Sequence, residues 1–328
     1  MTDTSGDKNN YAPVSGRTRI DMHCHYLPPA YVRMLERRDI RVLDGGMPVP
    51  EWTEKLQLER MEQLSVSYAC LSVSSPHLHM GDPREASETA RACNEYGAAL
   101  MQRYPDRFGV MASLPLPETE ASVKEIRYCV ETLHLTGFSV MTNALGVYLG
   151  DPALDPVMEE LNRHKTVVSI HPTEPSCVPA ACCKTLPLPF MEFFFDTTRA
   201  VINMILHRVF QRYPDIRFIV PHAGAFLPIL SDRLSGLPQV FPELADVDVK
   251  GSLEGLYFDL AGVAMPKQYG ILKQITGMDH LLYGSDGTFT PFPLCRKLSE
   301  DMDNMLTEAE ARQIYLDNPG VLLGKIMQ

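Results

Sequence analysis

The sequence predicts an α/β fold of the closed (β/α)8 type, a TIM barrel, and three observations carry that prediction. Eight short β-rich runs alternate with longer helical patterns. No glycine-rich GxGxxG follows the first run, which argues against an open dinucleotide-binding sheet. The length of 328 residues suits one barrel with long loops, because such barrels routinely exceed the usual domain size.

The expected strands cover 18–23, 66–74, 108–114, 137–141, 166–171, 216–222, 256–260 and 280–285. Helical patterns fall between them at 52–64, 84–103, 118–133, 154–164, 196–212, 226–234, 266–274 and 294–306. A last helix at 308–316 is expected to stop at Asn318-Pro319-Gly320. Tyr104-Pro105-Asp106 and Tyr213-Pro214-Asp215 each end a helix just before a strand, as proline should. Two connections are long, 26–51 after strand 1 and 173–192 after strand 5. Both belong at the C-terminal mouth of a barrel, where loops build active sites. Residues 1–17 are polar and read as a flexible leader ahead of a single barrel domain at 18–328.

Composition narrows the functions. Apolar residues at 45% supply a large core, while 30 Lys plus Arg against 41 Asp plus Glu leave a formal charge of −11. That excess repels phosphate backbones and offers anionic membranes no general attraction, so neither nucleic acid nor membrane is an expected partner. No run approaches the ~18 apolar residues of a bilayer span, and the leader lacks the apolar centre of a secretion signal. Cys24, Cys70, Cys93, Cys129, Cys177, Cys182, Cys183 and Cys295 form no CxxC pair, so reduced thiols in a cytoplasmic protein are expected.

The chemistry gathers at the strand ends. Strand 1 ends Ile20-Asp21-Met22-His23-Cys24-His25, and its period of two turns His23 and His25 to the same side. A lone HxH is more often two unrelated histidines than a metal clamp. Strand 5, however, ends in His171, strand 6 in His222 and strand 8 in Asp286, so four of the ten histidines and an aspartate sit at strand tips. Three imidazoles and a carboxylate suit Zn²⁺ or a similar divalent ion with one position open. A fourth imidazole beside that position could move protons near neutral pH.

These stretches resemble the amidohydrolase superfamily, and within it the branch of aminocarboxymuconate-semialdehyde decarboxylase. Besides the strand ends, the matching segments are FMEFFFDTTR at 190–199, RYPDIRFIVPHAG at 212–224 and YGSD at 283–286, and the likeness runs from about 18 to 324. The resemblance implies a barrel of the metal-dependent hydrolase type. It makes His23, His25, His171 and Asp286 metal ligands, and His222 the acid–base residue beside the open position. Strand 4 ends Val140-Met141-Thr142-Asn143 without a lysine, which fits the mononuclear branch. Arg233, eleven residues after His222, corresponds to an arginine that reaches the substrate carboxylate of a neighbouring subunit, which implies a homodimer. For a further arginine expected in the loop after strand 1, Arg41 is the nearest candidate. After Asp286 the chain reads Gly287-Thr288-Phe289, where relatives often place an aromatic residue at once.

Other polar residues have ordinary readings. His77 and His79 form a second HxH after strand 2, at the mouth where they could contact substrate, and surface or loop-packing roles are expected ahead of that; His134, His164, His207 and His280 have no evident companions. Asp21 could support a ligand from below or make a structural hydrogen bond. Asp196 and Arg199 suit a helix cap and a helix-face ion pair. Among Phe190, Phe193, Phe194 and Phe195, most belong to the core, with one or two walling a pocket. Cys24 points away from the two histidines that flank it and is expected to pack against a helix.

The expected function is metal-dependent, non-oxidative decarboxylation of a small aromatic or conjugated carboxylic acid, ortho-hydroxybenzoate-like or muconate-semialdehyde-like. One divalent ion, Zn²⁺ before Mn²⁺, would orient the acid. Asp286 or His222 would supply the proton that replaces CO₂, and Phe190, Phe194 and Phe289 would wall the substrate with Arg233 on its carboxylate. The alternative is a metal-dependent hydrolase or hydratase acting on a lactone, amide or double bond at the same site. A barrel that only binds a metal or metabolite would lack a ligand, and no position is missing.

Overall fold

The computed structural model describes residues 14, 16–44, 46–179, 182–183 and 185–326, so most of the leader expected at 1–17 lies outside the described residues. The strands are β1 (Arg19–His25), β2 (Val66–Ser72), β3 (Phe108–Val110, continued past Met111 by Ala112–Ser113) and β4 (Gly137–Met141). They continue as β5 (Val167–His171), β6 (Arg217–Val220), β7 (Tyr257–Asp259) and β8 (Leu281–Leu282). Each pairs parallel with the next, β1 to β3 through its first segment and β3 to β8 through its second. The circle closes between β8 and β1, where Met22 N–H donates to the Tyr283 carbonyl at 2.9 Å and Asp286 N–H to the His23 carbonyl at 2.8 Å. All eight expected strands are present in the expected order.

Alternation of side chains divides the core in two. Met22, Cys70, Met111, Val167, Ile219 and Leu282 face into the barrel and are plugged by Leu322 and Leu323. Their sequence neighbours Leu71, Val110, Val168 and Val220 face outward against helical residues such as Cys93, Ile126, Met158 and Met204. The lower barrel is therefore solid with apolar side chains, and polar groups are left to its upper end.

Several boundaries differ from expectation, each for a local reason. The strands expected at 216–222 and 280–285 stop at Val220 and Leu282. His222 and Asp286 adopt left-handed φ values of +54° and +55°, so the chain leaves the ladder before reaching them. The long connection at 26–51 holds a helix, Pro29–Arg37, whose proline sits in the first turn and whose Tyr31, Met34 and Leu35 bury one face. The helix expected at 196–212 begins earlier and divides at Arg208, which has φ +58°, giving Glu192–Leu206 and Val209–Arg212. Asn318-Pro319-Gly320 breaks nothing. A π-turn at Gln313–Asp317 leads straight into the helix Asn318–Ile326, where Pro319 falls in the first turn and its missing N–H is not needed. An unexpected antiparallel hairpin, Asn143–Ala144 with Val147–Tyr148, follows β4.

Among the described residues, no helix is long and apolar enough to cross a membrane. All eight cysteines are free.

Candidate active site

The upper end of the barrel collects what the strand tips present. Parity on β1 turns Asp21, His23 and His25 inward, and all three are buried. Pairing of β1 with β2 sets His25 opposite Ser72, whose hydroxyl lies 3.0 Å and carbonyl 3.3 Å from His25 Nδ1. His23 Nδ1 lies 2.9 Å from Asp259 Oδ2. His171 Nδ1 lies 2.7 Å from the Pro172 carbonyl. An acceptor on each Nδ1 keeps the ring proton there, leaving Nε2 bare on all three histidines.

Those nitrogens converge with Asp286. Its Oδ1 lies 3.1 Å from His25 Nε2 and 3.4 Å from His23 Nε2. One ligand-capable atom from each of His23, His25, His171 and Asp286 lies within 4.8 Å of the other three. His222 borders the cluster, its Nε2 3.7 Å from Asp286 Oδ2 and its ring 5.2 Å from that of His23. The Thr290 hydroxyl donates to Asp286 Oδ2 at 2.7 Å. His222 Nδ1 is buried without a hydrogen-bond partner.

The electrostatics suit a cation. Burial holds His25 below the ordinary imidazole range. Burial, then the neighbouring His25 and His23, hold His171 well below it. Burial opposes ionisation of Asp286, but contacts with His222, His23 and His25 outweigh it and hold the carboxyl well below its usual range. Burial likewise opposes charge on His23, yet the flanking Asp259 and Asp286 raise it well above normal. His25 and His171 kept neutral beside an ionised Asp286, at a point where two carboxylates favour positive charge, fit a divalent metal ion.

The neighbouring groups sort clearly. Phe194 stacks on His222 with ring centroids 5.8 Å apart, and Phe289 meets His25 edge-on at 5.3 Å. Phe193 is buried with its ring 6.4 Å from His171, whereas Phe190 stands 72% exposed on the short turn Leu188–Phe190. Arg233 is exposed on the helix Leu227–Ser235, outside the cluster of its own chain. Arg41 is exposed and pairs with Asp39 at 2.9 Å. Asp44 Oδ2, from the first long connection, accepts from Thr173 Oγ1 at 2.9 Å and Glu174 N–H at 3.0 Å. The two long connections are therefore pinned together at the mouth.

Asp196 is neither a cap nor half of an ion pair on its own helix. It is fully buried, accepting from Asn143 Nδ2 at 3.1 Å and from the Thr142 and Tyr148 hydroxyls, so it anchors the hairpin after β4. Arg199 lies over the Phe195 ring instead. Asp21 accepts from the backbone N–H groups of His23 and Ser285 at 3.1 and 3.0 Å, and burial raises its carboxyl to about 6. Cys24 accepts from Gln57 of the helix Glu54–Gln63 at 3.2 Å, facing away from His23 and His25 as expected. His77 and His79 pack a loop: His79 N–H donates to His77 Nδ1 at 3.0 Å, and His79 Nε2 lies 3.1 Å from Glu118. His164 pairs with Glu160, His207 bonds the Asn203 carbonyl, and His280 stacks near Tyr257.

Sequence reasoning missed Asp259 and Ser72. A signal for Asp259 was present, because Tyr257-Phe258-Asp259-Leu260 puts one carboxylate in an otherwise apolar strand. A buried strand tolerates such a group only with partners.

The sequence profile of the amidohydrolase family matches residues 20–325. The chain is 33% identical over 312 residues to decarboxylase macB of Penicillium terrestre, covering 88% of this chain and 90% of that protein. It is 31% identical over 325 residues to 6-methylsalicylic acid decarboxylase of Penicillium expansum, covering 93% and 98%. It is 28% identical over 234 residues to 2-amino-3-carboxymuconate-6-semialdehyde decarboxylase of Dictyostelium discoideum, covering 71% and 63%. Its fold matches the crystal structure of an amidohydrolase II with a TM-score of 0.89 at 39% identity, covering 94% of this chain and all of that one.

Proposed function

The chain belongs to the amidohydrolase family, and on that premise we propose that it is a metal-dependent, non-oxidative decarboxylase of a small ortho-hydroxybenzoate. The observation that carries the proposal is the convergence of His23, His25, His171 and Asp286 beside His222, under the rings of Phe194 and Phe289. Relatives named as decarboxylases, one of them of 6-methylsalicylic acid, support this choice of reaction and of substrate class.

His23, His25, His171 and Asp286 would hold the metal. When bound, a divalent ion supplies Lewis acidity that orients and polarises the oxygens of the acid. The chain's own residues do the rest. Phe194 and Phe289 present apolar faces that suit an aromatic ring and keep water from it. Asp286 Oδ2 and His222 Nε2, 3.7 Å apart, form the pair that handles the proton. A proton from this pair bonds to the ring carbon bearing the carboxylate. The carbon–carboxylate bond then breaks, its electron pair restores the aromatic ring, and CO₂ departs with no net oxidation. The buried, unpartnered Nδ1 of His222 leaves that ring unanchored on its far side, so Phe194 and the Asp286 contact orient it.

The proposal takes Zn²⁺ first and Mn²⁺ second, because an N₃O ligand set admits both. It extends to one domain over 18–328 in a cytoplasmic enzyme. It also extends to a homodimer in which the exposed Arg233 serves the neighbouring subunit's substrate carboxylate.

The test is CO₂ release from a panel of ortho-hydroxybenzoates, using wild type loaded with Zn²⁺ or Mn²⁺, chelated wild type, and Asp286→Ala. Release that needs both the metal and Asp286 is expected. Turnover of lactones, amides or alkenes with no CO₂ would replace this reading with the hydrolase or hydratase.

A further inference from the structure

We propose that Asp259 is the positioning residue of this site, acting through His23 and His222 without touching substrate. The inference rests on the reading of His23 as a metal ligand. Asp259 ends β7, a strand that contributes none of the four ligand atoms, yet its side chain is fully buried under the cluster. A buried carboxylate is costly unless its lone pairs are used. Here Oδ2 faces His23 Nδ1 at 2.9 Å, while Oδ1 accepts from the backbone N–H of His222 at 3.0 Å and of Ala261 at 3.1 Å.

Each oxygen has a separate task. Oδ2 takes the Nδ1 proton of His23 and so directs a bare Nε2 into the cluster. Of the three ligand histidines, His23 has a carboxylate on Nδ1, whereas His25 has Ser72 and His171 has the Pro172 carbonyl. A carboxylate raises the basicity of the imidazole it holds, which makes His23 the strongest nitrogen donor of the set. Oδ1 holds the backbone at His222, where His222 and Ala223 both adopt left-handed φ, +54° and +51°. Residues other than glycine enter that region at a cost, so the turn needs an external tie.

The barrel makes room for this bond. β7 and β1 are not neighbours, since β8 runs between them. The residue of the β8 segment at that level is Gly284. A Cβ there would lie 2.6 Å from His23 Cβ and 3.4 Å from Asp259 Cβ. Glycine in the YGSD segment thus opens the gap through which Asp259 reaches His23.

Asp259→Asn tests the assignment. Its carbonyl can still accept from His222 and Ala261, but its amide turns a donor toward His23 Nδ1. That favours the tautomer with the proton on Nε2. Affinity for Zn²⁺, measured by chelator competition, is expected to fall about 10- to 100-fold. The visible spectrum of the Co²⁺-loaded protein should change as one nitrogen donor weakens. A merely structural residue would lower affinity in any background, so the cycle is completed with His23→Gln. Once His23 is gone, Asp259→Asn should cost no further affinity. If Asp259→Asn does not fold, Asp259→Ser, too short to reach His23 and without the second oxygen that holds His222, is compared with and without His23: the part of its loss that disappears in the His23→Gln background belongs to His23, and the part that persists to the His222 tie. Wild-type affinity and an unchanged Co²⁺ spectrum in the variant, or losses that simply add in the double variant, would overturn the assignment. A wild type that binds neither Zn²⁺ nor Mn²⁺ would overturn the metal reading and this inference with it.

Discussion

Gly284→Ala adds a single methyl group beneath the site, and its cost can be worked from the structure. The new Cβ would sit 2.6 Å from His23 Cβ, 3.3 Å from Ala261 Cβ and 3.4 Å from Asp259 Cβ. Carbon atoms in contact rest at roughly 3.5–4.0 Å, so the overlap with His23 is about 1 Å. None of the three neighbours is the free end of a flexible side chain. Each is a Cβ fixed to backbone, and His23 is further tied to Asp259 through Nδ1. The overlap must therefore be relieved by moving β1 or β8, at about 1–3 kcal/mol for overpacking. Metal distances tolerate only ~0.2 Å, so a shift of this size should weaken binding by at least about tenfold. The assay is chelator competition together with thermal unfolding, with and without Zn²⁺. Gly270→Ala serves as the control, because a Cβ there meets nothing within 4 Å on the helix Lys267–Leu272 and should gain up to about 1 kcal/mol. If Gly284→Ala keeps wild-type metal affinity and melting temperature, the close approach of β8 to His23 is not what shapes the site.

Three further outcomes are expected. Removing metal with a chelator should abolish CO₂ release and lower the melting temperature by a few degrees, since ligand at 100 Kd contributes about 2.7 kcal/mol; an unchanged melt would contradict a resident ion. Asp196→Ala strips an acceptor from Thr142, Asn143 and Tyr148 and should cost about 3–5 kcal/mol in urea unfolding, and a loss under about 1 kcal/mol would show that the hairpin is held otherwise. Burial, then His79, lower His77 to about 3, below its value in the unfolded chain. The folded protein therefore prefers His77 neutral, and the stability this confers is present above pH 6.5 and lost as pH falls toward 3. His77→Gln should flatten the acid side of the melting-temperature profile between pH 6.5 and 4, and a parallel profile would count against it.

The alternation of strands and helices was legible because parallel strands buried on both faces read as apolar runs, such as Val167-Val168 and Ile219-Val220. The cluster of the candidate metal site was legible because histidines are rare enough for their recurrence at strand ends to stand out. Strand ends were less so. Periodicity does not report where φ turns positive, and His222 and Asp286 leave the ladder at that point. Helix breaks at proline were overread at Pro319, where a π-turn lets the chain continue. Asp259 escaped because its partner, His23, lies 236 residues away. Nothing local marks such a pair except an unexplained charge in a strand.

The place where the barrel closes has a consequence in polymer terms. His23 and His25 come from the first strand and Asp286 from just beyond the last, with His25 and Asp286 261 residues apart in sequence. An ion shared among them cross-links nearly the whole chain into one loop. Unlike a disulfide, the ion closes that loop only while the chain is folded, so its contribution to stability is its binding free energy. The same side chains that would hold the metal therefore fasten the seam of the cylinder. Loss of the ion should open the barrel first between β1 and β8, so amide exchange in the metal-free protein should accelerate earliest along that one seam.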